Sequence, residues 1–209
     1  MPFTQPHLLI FGGPNGSGKS TIKSAYEGRI PEYFINADEI TKDYLEGRDF
    51  REFSSDELRD LNYCAARTAD ALRWEALEQG ISFATESVMS TDKMIKFMQA
   101  AKKMGYQVHL IYVTTFDPEI NIDRVETRVQ DGGHPVPPEK IRDRYYRAME
   151  EFLPQAIRIA DKADVYNNSF EAPSLILEKT HDKINLFPQP EPSKWNEKTL
   201  QELVYFSES

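Results

Sequence analysis

The segment from Gly13 to Ser20 constrains the fold of this chain more tightly than any other part of the sequence. It reads Gly-Pro-Asn-Gly-Ser-Gly-Lys-Ser and fits the pattern G-x-x-x-x-G-K-[ST]. The apolar run 7–11 before it predicts a buried strand, and a helix is expected to begin near Lys19. Glycines at these spacings let backbone N–H groups turn inward around an anion, which a β-carbon would obstruct. The segment therefore predicts a phosphate-binding P-loop.

The P-loop also predicts which residues hold a nucleotide. Lys19 is expected to reach the β- and γ-phosphates of ATP, and the Ser20 hydroxyl is expected to bind Mg²⁺. The other nucleotide contacts fall in the loop and in the first turn of the helix: Gly13, Asn15, Gly16, Ser17, Gly18 and Thr21. ATP and Mg²⁺ are therefore the predicted cofactors.

Strand and helix patterns alternate along the rest of the chain. Predicted strands lie at 33–36, 81–85, 106–115 and 163–167, and predicted helices at 54–79, 92–104, 118–131 and 137–160. This alternation predicts an α/β fold of the P-loop kinase type, with a doubly wound, mostly parallel sheet flanked by helices. The apolar run 175–177 could add a strand at the sheet edge. We expect a kinase domain over residues 1–170 and a C-terminal extension over 171–209 that packs on it or trails it.

Charge and composition exclude several classes of function. The net charge of -9 opposes a broad nucleic-acid-binding surface, because phosphate contacts need concentrated Lys and Arg. No apolar run reaches the roughly 18 residues that span a membrane, and the first residues lack the basic region of a secretory signal. The single cysteine, Cys64, fits a reducing compartment, and its predicted helix places it in the core. We expect a cytoplasmic protein that acts on small molecules, without long nucleic acid or membranes as partners.

Two carboxylates lie at the ends of predicted strands. Asp38 follows the second strand, where it could accept the proton of a hydroxyl that attacks the γ-phosphate, or could instead cap the next helix. Glu86 ends the third strand and could bind an acceptor hydroxyl or hold Mg²⁺ through water, or could be solvated. Ser87 and Thr91 add hydroxyls that suit a polar acceptor or, alternatively, a turn and a helix cap. The sequence thus predicts an acceptor site formed by these four residues.

Arginines flank a glycine pair in the second half of the chain. Arg124 and Arg128 are four residues apart and share one face of a helix. Beyond Gly132-Gly133 follow three more: Arg142, Arg144 and Arg147. A loop flanked by arginines is typical of a lid that closes on ATP and neutralises the moving phosphoryl group, although some arginines will form surface ion pairs. We predict a lid over 129–147, with Arg124 and Arg128 as catalytic residues.

Five segments, taken in order, resemble the zeta-toxin family. They read Gly-Gly-Pro-Asn-Gly-Ser-Gly-Lys-Ser-Thr at 12–21, Ile-Asn-Ala-Asp at 35–38, Phe-Ala-Thr-Glu-Ser-Val-Met-Ser at 83–90, Arg-Val-Glu-Thr-Arg-Val-Gln-Asp-Gly-Gly-His-Pro-Val-Pro at 124–137 and Arg-Tyr-Tyr-Arg at 144–147. The P-loop alone is shared with many families. The resemblance therefore depends on its combination with Asp38, Glu86 and the Gly-Gly-His segment.

The resemblance implies a kinase that phosphorylates the 3′-hydroxyl of the amino sugar in UDP-N-acetylglucosamine. Lys19 then matches the phosphate-binding lysine, Asp38 the general base and Glu86 a substrate-side acid. Arg124 matches an arginine that serves the transferred phosphate, and Asp70 falls near a further substrate-side acid.

The resemblance also implies partners and leaves one role open. The family's second phosphate-facing arginine lies in the lid, where this chain has Gly133-His134-Pro135, so Arg128 or Arg144 is the candidate replacement. A small-molecule acceptor, specifically a UDP-sugar, and an antitoxin protein are the implied partners.

Two other functions stay open. A nucleoside, nucleotide or nucleic-acid end kinase would use the same P-loop on another acceptor. A P-loop ATPase or switch module would transfer phosphate only to water, and Asp38 would then be dispensable. A GTPase switch normally carries an Asn-Lys-x-Asp guanine motif, which this sequence lacks.

Overall fold

Seven strands form a single sheet in the part of the chain that the computed structural model describes, residues 5–130, 133, 135–181 and 183–187. The strands are β1 (His7–Gly12), β2 (Tyr33–Ile35), β3 (Phe83–Ser87), β4 (Gln107–Thr114), β5 (Lys162–Asn167), β6 (Ser174–Thr180) and β7 (Lys183–Leu186). Their order is β2-β3-β1-β4-β5-β6-β7. The first five in this order pair in parallel, and β6 and β7 continue the sheet in antiparallel fashion.

Helices connect the strands and cover both faces of the sheet. They are α1 (Lys19–Ala25), α2 (Ala37–Tyr44), α3 (Ser55–Glu78), α4 (Asp92–Lys103), α5 (Pro118–Gln130), α6 (Pro138–Arg147) and α7 (Leu153–Ile159). A short 3₁₀ turn, Phe50–Glu52, precedes α3, and a π-helical turn, Ala148–Phe152, joins α6 to α7. No helix among the described residues is both long and apolar enough to cross a membrane.

The two faces of β1 explain the layered core. Leu8 and Ile10 belong to a large buried cluster, whereas Leu9 and Phe11 belong to a second cluster. Alternate residues of a strand face opposite sides of the sheet, so β1 is apolar on both faces, as expected for a central parallel strand. The strand order reverses around β1, and in such sheets ligands bind at the carboxyl end of the strand where the reversal occurs.

The predicted α/β fold of the P-loop kinase type is confirmed, and three local predictions need correction. The third strand covers Phe83–Ser87 rather than 81–85, because Ile81 N–H still bonds to the end of α3, at Ala76. The predicted helix 137–160 is broken by the π-helical turn, directly before Pro154, which cannot donate a backbone hydrogen bond. Cys64 is exposed rather than in the core.

The position of Cys64 on α3 explains this last correction. Ala65, Ala69, Ala76 and Leu77 form the buried stripe of the helix. Cys64 lies one residue before this stripe, about 100° around the helix, and therefore faces solvent.

The extension after residue 170 contributes to the sheet. Leu175 to Leu177 lie in β6, so the predicted strand is present, but it pairs with both β5 and β7 and the edge is formed by β7. The segment 188–209 lies outside the described residues.

Candidate functional site

Three glycines of the P-loop adopt backbone conformations that other residues avoid. Gly13, Gly16 and Gly18 have φ values of 142°, 75° and 92°. A β-carbon on Gly13 would lie 2.1 Å from the carbonyl oxygen of Val113, and one on Gly18 would lie 2.0 Å from Nδ2 of Asn168. The loop is thus a tight cradle of backbone, and the shape of a phosphate nest depends on these glycines.

Lys19 lies across this cradle. Its side chain is buried, and its ammonium donates hydrogen bonds to the carbonyls of Gly13 at 2.9 Å and Pro14 at 3.0 Å. Oε1 of Glu86 lies 3.6 Å from the same nitrogen. A buried ammonium held by carbonyls and one carboxylate can exchange these oxygens for phosphate oxygens with little change of position.

Asn36 connects the two predicted acidic residues. Its Oδ1 caps α2 by accepting from the backbone N–H of Asp38 at 2.8 Å, and its Nδ2 donates to Oε2 of Glu86 at 3.1 Å. Asp38 therefore lies in the first turn of α2 and is exposed, while Asn36 is the cap. The alternative in which Asp38 caps the helix is wrong, because Asn36 fills that role.

A cavity of about 380 Å³ adjoins the P-loop on the α2 side. Its lining includes the residues that the sequence assigned to metal, base, acceptor and phosphate: Ser20, Asp38, Glu86 and Arg128. Asn36 and Asn62 also line it. A third carboxylate, Glu39, also lines the cavity and pairs with Lys23. The cavity thus brings three carboxylates, a P-loop hydroxyl and an arginine to one polar space.

Ser87 and Thr91 lie elsewhere. They line a separate cavity of about 340 Å³, together with Asp70, Arg73 and Lys93. Ser87 follows Glu86 in β3, and consecutive residues of a strand face opposite sides of the sheet. The structure therefore does not bring Ser87 and Thr91 together with Asp38 and Glu86 in one cavity.

The segment predicted as a lid is largely helical. Residues 138–147 form α6, and Gly133 folds back on α5, where its N–H donates to the carbonyl of Arg128 at 2.8 Å. Arg144 on α6 donates to Oδ1 of Asn15 at 3.2 Å, so α6 contacts the tip of the P-loop. His134, together with residues 131 and 132, lies outside the described residues.

Three buried polar atoms in the described part of the chain have no hydrogen-bond partner, and two of them belong to residues at the P-loop. They are Oγ of Ser17, Nδ2 of Asn121 and Nη1 of Arg124. Asn121 lies against the loop, since a β-carbon on Gly16 would come within 2.3 Å of its carbonyl oxygen. Buried donors normally have acceptors, so these atoms and the glycine cradle fit a ligand rich in oxygen, such as a nucleotide phosphate. The predicted ATP site therefore fits the residues present.

The fit for Mg²⁺ depends on a single protein hydroxyl. Ser20 is exposed at the start of α1 and lines the 380 Å³ cavity. Among the described residues no group of three or more His, Cys, Asp or Glu could hold a metal ion. Mg²⁺ in nucleotide sites is bound through a few protein oxygens together with the phosphates and waters, which suits Ser20.

Arg73 is a site residue that the sequence reasoning missed. It lies on α3, is buried, and donates from Nε to Oγ1 of Thr85 at 2.7 Å and from Nη2 to the carbonyl of Glu86 at 3.2 Å. Burial lowers the pKa of Arg73. The negative charge of Asp70, whose Oδ1 lies 2.7 Å from Nη1, acts in the opposite direction but does not cancel this effect. A signal was present in the sequence, because Arg73 falls on the stripe of Ala69 and Ala76.

Asn168, after β5, is a second missed residue. Its Nδ2 donates to the carbonyl of Ser17 at 2.9 Å, and its N–H donates to the carbonyl of Thr114 at 2.7 Å. It thereby ties the P-loop to the ends of β4 and β5. By its sequence, the segment Asn167-Asn168-Ser169 after the last strand is compatible with an adenine contact or with a plain turn, and neither interpretation includes this contact with the P-loop.

Fold and site together define a P-loop protein of the kinase fold class. The sequence profile of the zeta toxin family matches residues 1–172, and the chain therefore belongs to the zeta toxin family. An uncharacterized protein of Haemophilus influenzae is 33% identical over 141 residues, which cover 68% of this chain and 94% of that protein.

Two solved structures show how widely the fold is shared. The PezAT chromosomal toxin-antitoxin system of Streptococcus pneumoniae contains a chain with a TM-score of 0.63 and 19% identity, covering 99% of this chain and 88% of its own. The AvrRxo1-ORF1:-ORF2 complex with ATP gives a TM-score of 0.67 at 17% identity, covering 97% of this chain and 64% of its own. At these identities the likeness concerns the fold.

Proposed function

We propose that the protein is a kinase that transfers the γ-phosphoryl group of ATP to a hydroxyl of a small polar acceptor. One observation carries the proposal: the 380 Å³ cavity places Asp38 and Glu86 beside Ser20 of the P-loop, and Glu86 contacts Lys19. A carboxylate that shares a cavity with a phosphate cradle can act on an acceptor hydroxyl. A module that only binds a nucleotide would not need a carboxylate at this position.

The reaction uses Lys19 and Asp38 in complementary roles. Lys19 exchanges the carbonyls of Gly13 and Pro14 for β- and γ-phosphate oxygens. Asp38 accepts the proton of the acceptor hydroxyl as its oxygen bonds to the γ-phosphorus, and the bond from that phosphorus to the β–γ bridging oxygen breaks, which releases ADP. Catalysis of this kind depends mainly on positioning and charge. Asn36 holds the carboxylate of Glu86 and the backbone N–H of Asp38.

Charge on the phosphates is balanced by cations. The Ser20 hydroxyl would hold Mg²⁺, which would reduce the negative charge of the phosphates when bound. Arg128 lines the same cavity, and Arg124 lies one helical turn earlier with a buried Nη1 that has no partner among the described residues. Both arginines are suited to the transferred phosphoryl group.

A UDP-sugar is the acceptor class that we favour. A larger cavity of about 900 Å³ lies between α3, α5 and α6, and Asn62 lines both this cavity and the one that contains Asp38. Together they offer room for an acceptor larger than a single sugar. Membership of the zeta toxin family adds support for a UDP-N-acetylglucosamine-like acceptor, for an antitoxin protein partner and for action in the cytoplasm.

An acceptor screen tests this proposal. Purified protein is incubated with Mg²⁺ and ATP and with a panel of UDP-sugars, nucleosides, nucleotides and short 5′-hydroxyl oligonucleotides, and mass spectrometry detects any compound that gains one phosphoryl group. Lys19→Ala and Asp38→Asn are run in parallel. Asp43→Asn, an exposed carboxylate on the same helix as Asp38, is the matched control.

The outcomes separate the candidate functions. A phosphorylated UDP-sugar that is lost in both site variants and kept in Asp43→Asn supports the proposal. Phosphorylation of an oligonucleotide or nucleoside instead of a UDP-sugar would show that the acceptor belongs to another class of molecule. ADP formation without any phosphorylated acceptor, at an equal rate in Asp38→Asn, contradicts the kinase proposal.

A further inference from the structure

A buried arginine connects the end of β2, which leads into the helix of Asp38, to the end of β3, which carries Glu86. Arg73 is 8% exposed and lies on α3. It donates to Oγ1 of Thr85, which in turn donates to the carbonyl of Ile35 at 2.8 Å, the last residue of β2. A third bond runs from Nη2 to the carbonyl of Glu86 on β3. One guanidinium therefore connects α3, β2 and β3 at their shared end.

These contacts lead directly to the proposed base and to Glu86. Ile35 is followed by Asn36, which caps the helix that carries Asp38 and also holds Oε2 of Glu86. A shift at the end of β2 would therefore move the first turn of α2, and a shift at the end of β3 would move Glu86 relative to Lys19. Both displacements are opposed by the same side chain.

Stability alone does not account for an arginine at this position. Two of its partners, the Thr85 hydroxyl and the Glu86 carbonyl, are neutral, and its one carboxylate partner, Asp70, is 40% exposed. Burying a charge is unfavourable, and well-packed apolar side chains often replace buried ion pairs without loss of stability. What an apolar side chain lacks is the rigid fork of donors that fixes several acceptors at once.

We propose that Arg73 is a positioning residue for phosphoryl transfer, acting through Thr85, Ile35 and Glu86 to hold Asp38 and Glu86 in register with Lys19. The proposal rests on the proposed kinase function and deepens it. It differs from a catalytic role, since Arg73 contacts a backbone carbonyl, a buried hydroxyl and Asp70 rather than the proposed reacting groups. Its loss should lower the rate of the chemical step while nucleotide binding, which depends on the P-loop, is retained.

Three variants test this role. Arg73→Met keeps much of the side-chain volume but removes all three donors, and Arg73→Lys keeps the charge and one donor group. Thr85→Val keeps the shape but removes the hydroxyl that accepts from Nε of Arg73 and donates to the carbonyl of Ile35, so it tests the connection even where Arg73→Met folds poorly. Arg67→Met, an exposed arginine on the same helix, is the control.

Kinetics give the first readout. We expect kcat in Arg73→Met to fall about 10²-fold with the KM for ATP changed less than about threefold, because a displaced base affects the transition state and not ground-state nucleotide binding. Arg73→Lys should recover part of the loss, Thr85→Val should show a smaller loss, and Arg67→Met should match the wild type. An unchanged kcat in a folded Arg73→Met protein, or an equal loss of ATP affinity, overturns the proposal.

Hydrogen–deuterium exchange gives a readout that does not require activity. Amides of residues 33–41 and 83–87 should exchange faster in Arg73→Met and Thr85→Val, with those of α5 unchanged. If the wild type transfers no phosphate to any acceptor, the kinase proposal fails, whereas the connection from Arg73 to α2 is still decided by exchange. Unchanged exchange at 33–41 overturns the positioning role whatever the activity.

Discussion

Two polar networks lie towards opposite ends of the parallel strands, and one of them faces the cavity beside the P-loop. The site network, Lys19, Asn36, Asp38, Glu86 and Arg73, lies at the carboxyl end, and three of its members line the cavity beside the P-loop. The amino-end network consists of Tyr26, His109, Asp164 and Tyr166. Asp164 is 4% exposed, and its Oδ2 accepts from the Tyr26 hydroxyl at 3.1 Å and lies 2.8 Å from Nε2 of His109.

Protonation in the amino-end network is fixed by its own contacts. Burial raises the pKa of Tyr26 far above its ordinary value, and its hydrogen bond with Tyr166 and the charge of Asp164 act in the same direction. Burial also tends to raise the pKa of Asp164, but the contacts with His109, the charge of Lys162 and the hydrogen bond from Tyr26 together outweigh it, so the pKa lies below the ordinary value. The phenol stays neutral and the carboxylate stays charged over the whole neutral range.

The two networks differ in whether their polar groups bond to other protein groups or face space that a ligand can occupy. In the amino-end network, Asp164 is surrounded by protein donors, including Nζ of Lys162 at 3.5 Å, which is how a structural network is built. In the site network the carboxylate of Asp38 is exposed to a cavity, and the ammonium of Lys19 is held by carbonyls that a phosphate can replace. A polar cluster indicates a function only where part of it faces space for a ligand.

Lys19→Ala should give the largest effect on the site network. Removing the ammonium takes away the main positive charge at the phosphates, and we expect phosphoryl transfer to fall by about 10³-fold or more. The rate of acceptor phosphorylation measures this effect. Lys103→Ala, an exposed lysine at the end of α4, should keep the full rate, and a similar loss in both variants would contradict the assignment.

Asp38→Asn should abolish proton acceptance and leave the nucleotide bound. We expect kcat to fall about 10²-fold to 10⁴-fold, the usual contribution of a general base. ATP affinity, measured by calorimetry, should stay close to that of the wild type. A variant that loses ATP affinity but keeps kcat would show that Asp38 serves binding rather than proton transfer.

Gly13→Ala should destabilise the fold as well as the cradle. The new β-carbon meets the Val113 carbonyl at 2.1 Å in a backbone conformation with φ of 142°, and we expect a loss of about 3 kcal/mol in the free energy of unfolding. Gly80→Ala is the comparison, since Gly80 also has a positive φ but nothing within 4 Å, and its loss should be about 1 kcal/mol. Denaturant unfolding gives both values, and equal losses would contradict the close contact.

Asp164→Asn should affect stability and its pH dependence, with little change in the rate of transfer. Because the pKa of Asp164 is lowered in the folded state, the charged form stabilises the fold above the unfolded value of 3.8, and this contribution disappears as the pH falls below it. We expect the variant to lose about 1–3 kcal/mol at neutral pH, with the difference shrinking towards pH 3.

Thermal unfolding from pH 3 to 7 tests this expectation. Asp123→Asn, an exposed carboxylate on α5, is the control and should follow the wild type. A constant difference between Asp164→Asn and the wild type at every pH would mean that the charge of Asp164 contributes nothing to stability.

The sequence predicted those parts of the site that depend on local spacing. The P-loop, its flanking strand and helix, and the positions of Asp38 and Glu86 near it all follow from short patterns. The role of Arg73 could not be predicted, because its partners Thr85 and Glu86 lie on β3. They contact Arg73 only because α3 packs on the sheet. A charged residue on the buried stripe of a helix was the one available signal.

The prediction that Ser87 shares an acceptor site with Glu86 was wrong because of the geometry of β3. Ser87 and Glu86 are adjacent in sequence, but consecutive residues of a strand face opposite sides of the sheet. In addition, the third strand begins two residues later than the sequence predicts. The edge strand β7 was not predicted either, since a strand of four residues has little periodicity of its own.

The fate of the γ-phosphate in a single turnover tests the central claim most directly. Protein in excess is mixed with Mg²⁺ and γ-labelled ATP in the presence of an extract of bacterial small molecules, and the label is followed into organic products and into inorganic phosphate. We predict that most of the label enters an organic acceptor in the wild type and that Asp38→Asn slows this transfer about 10²-fold. Label found only as inorganic phosphate, at a rate that Asp38→Asn does not change, would contradict the account.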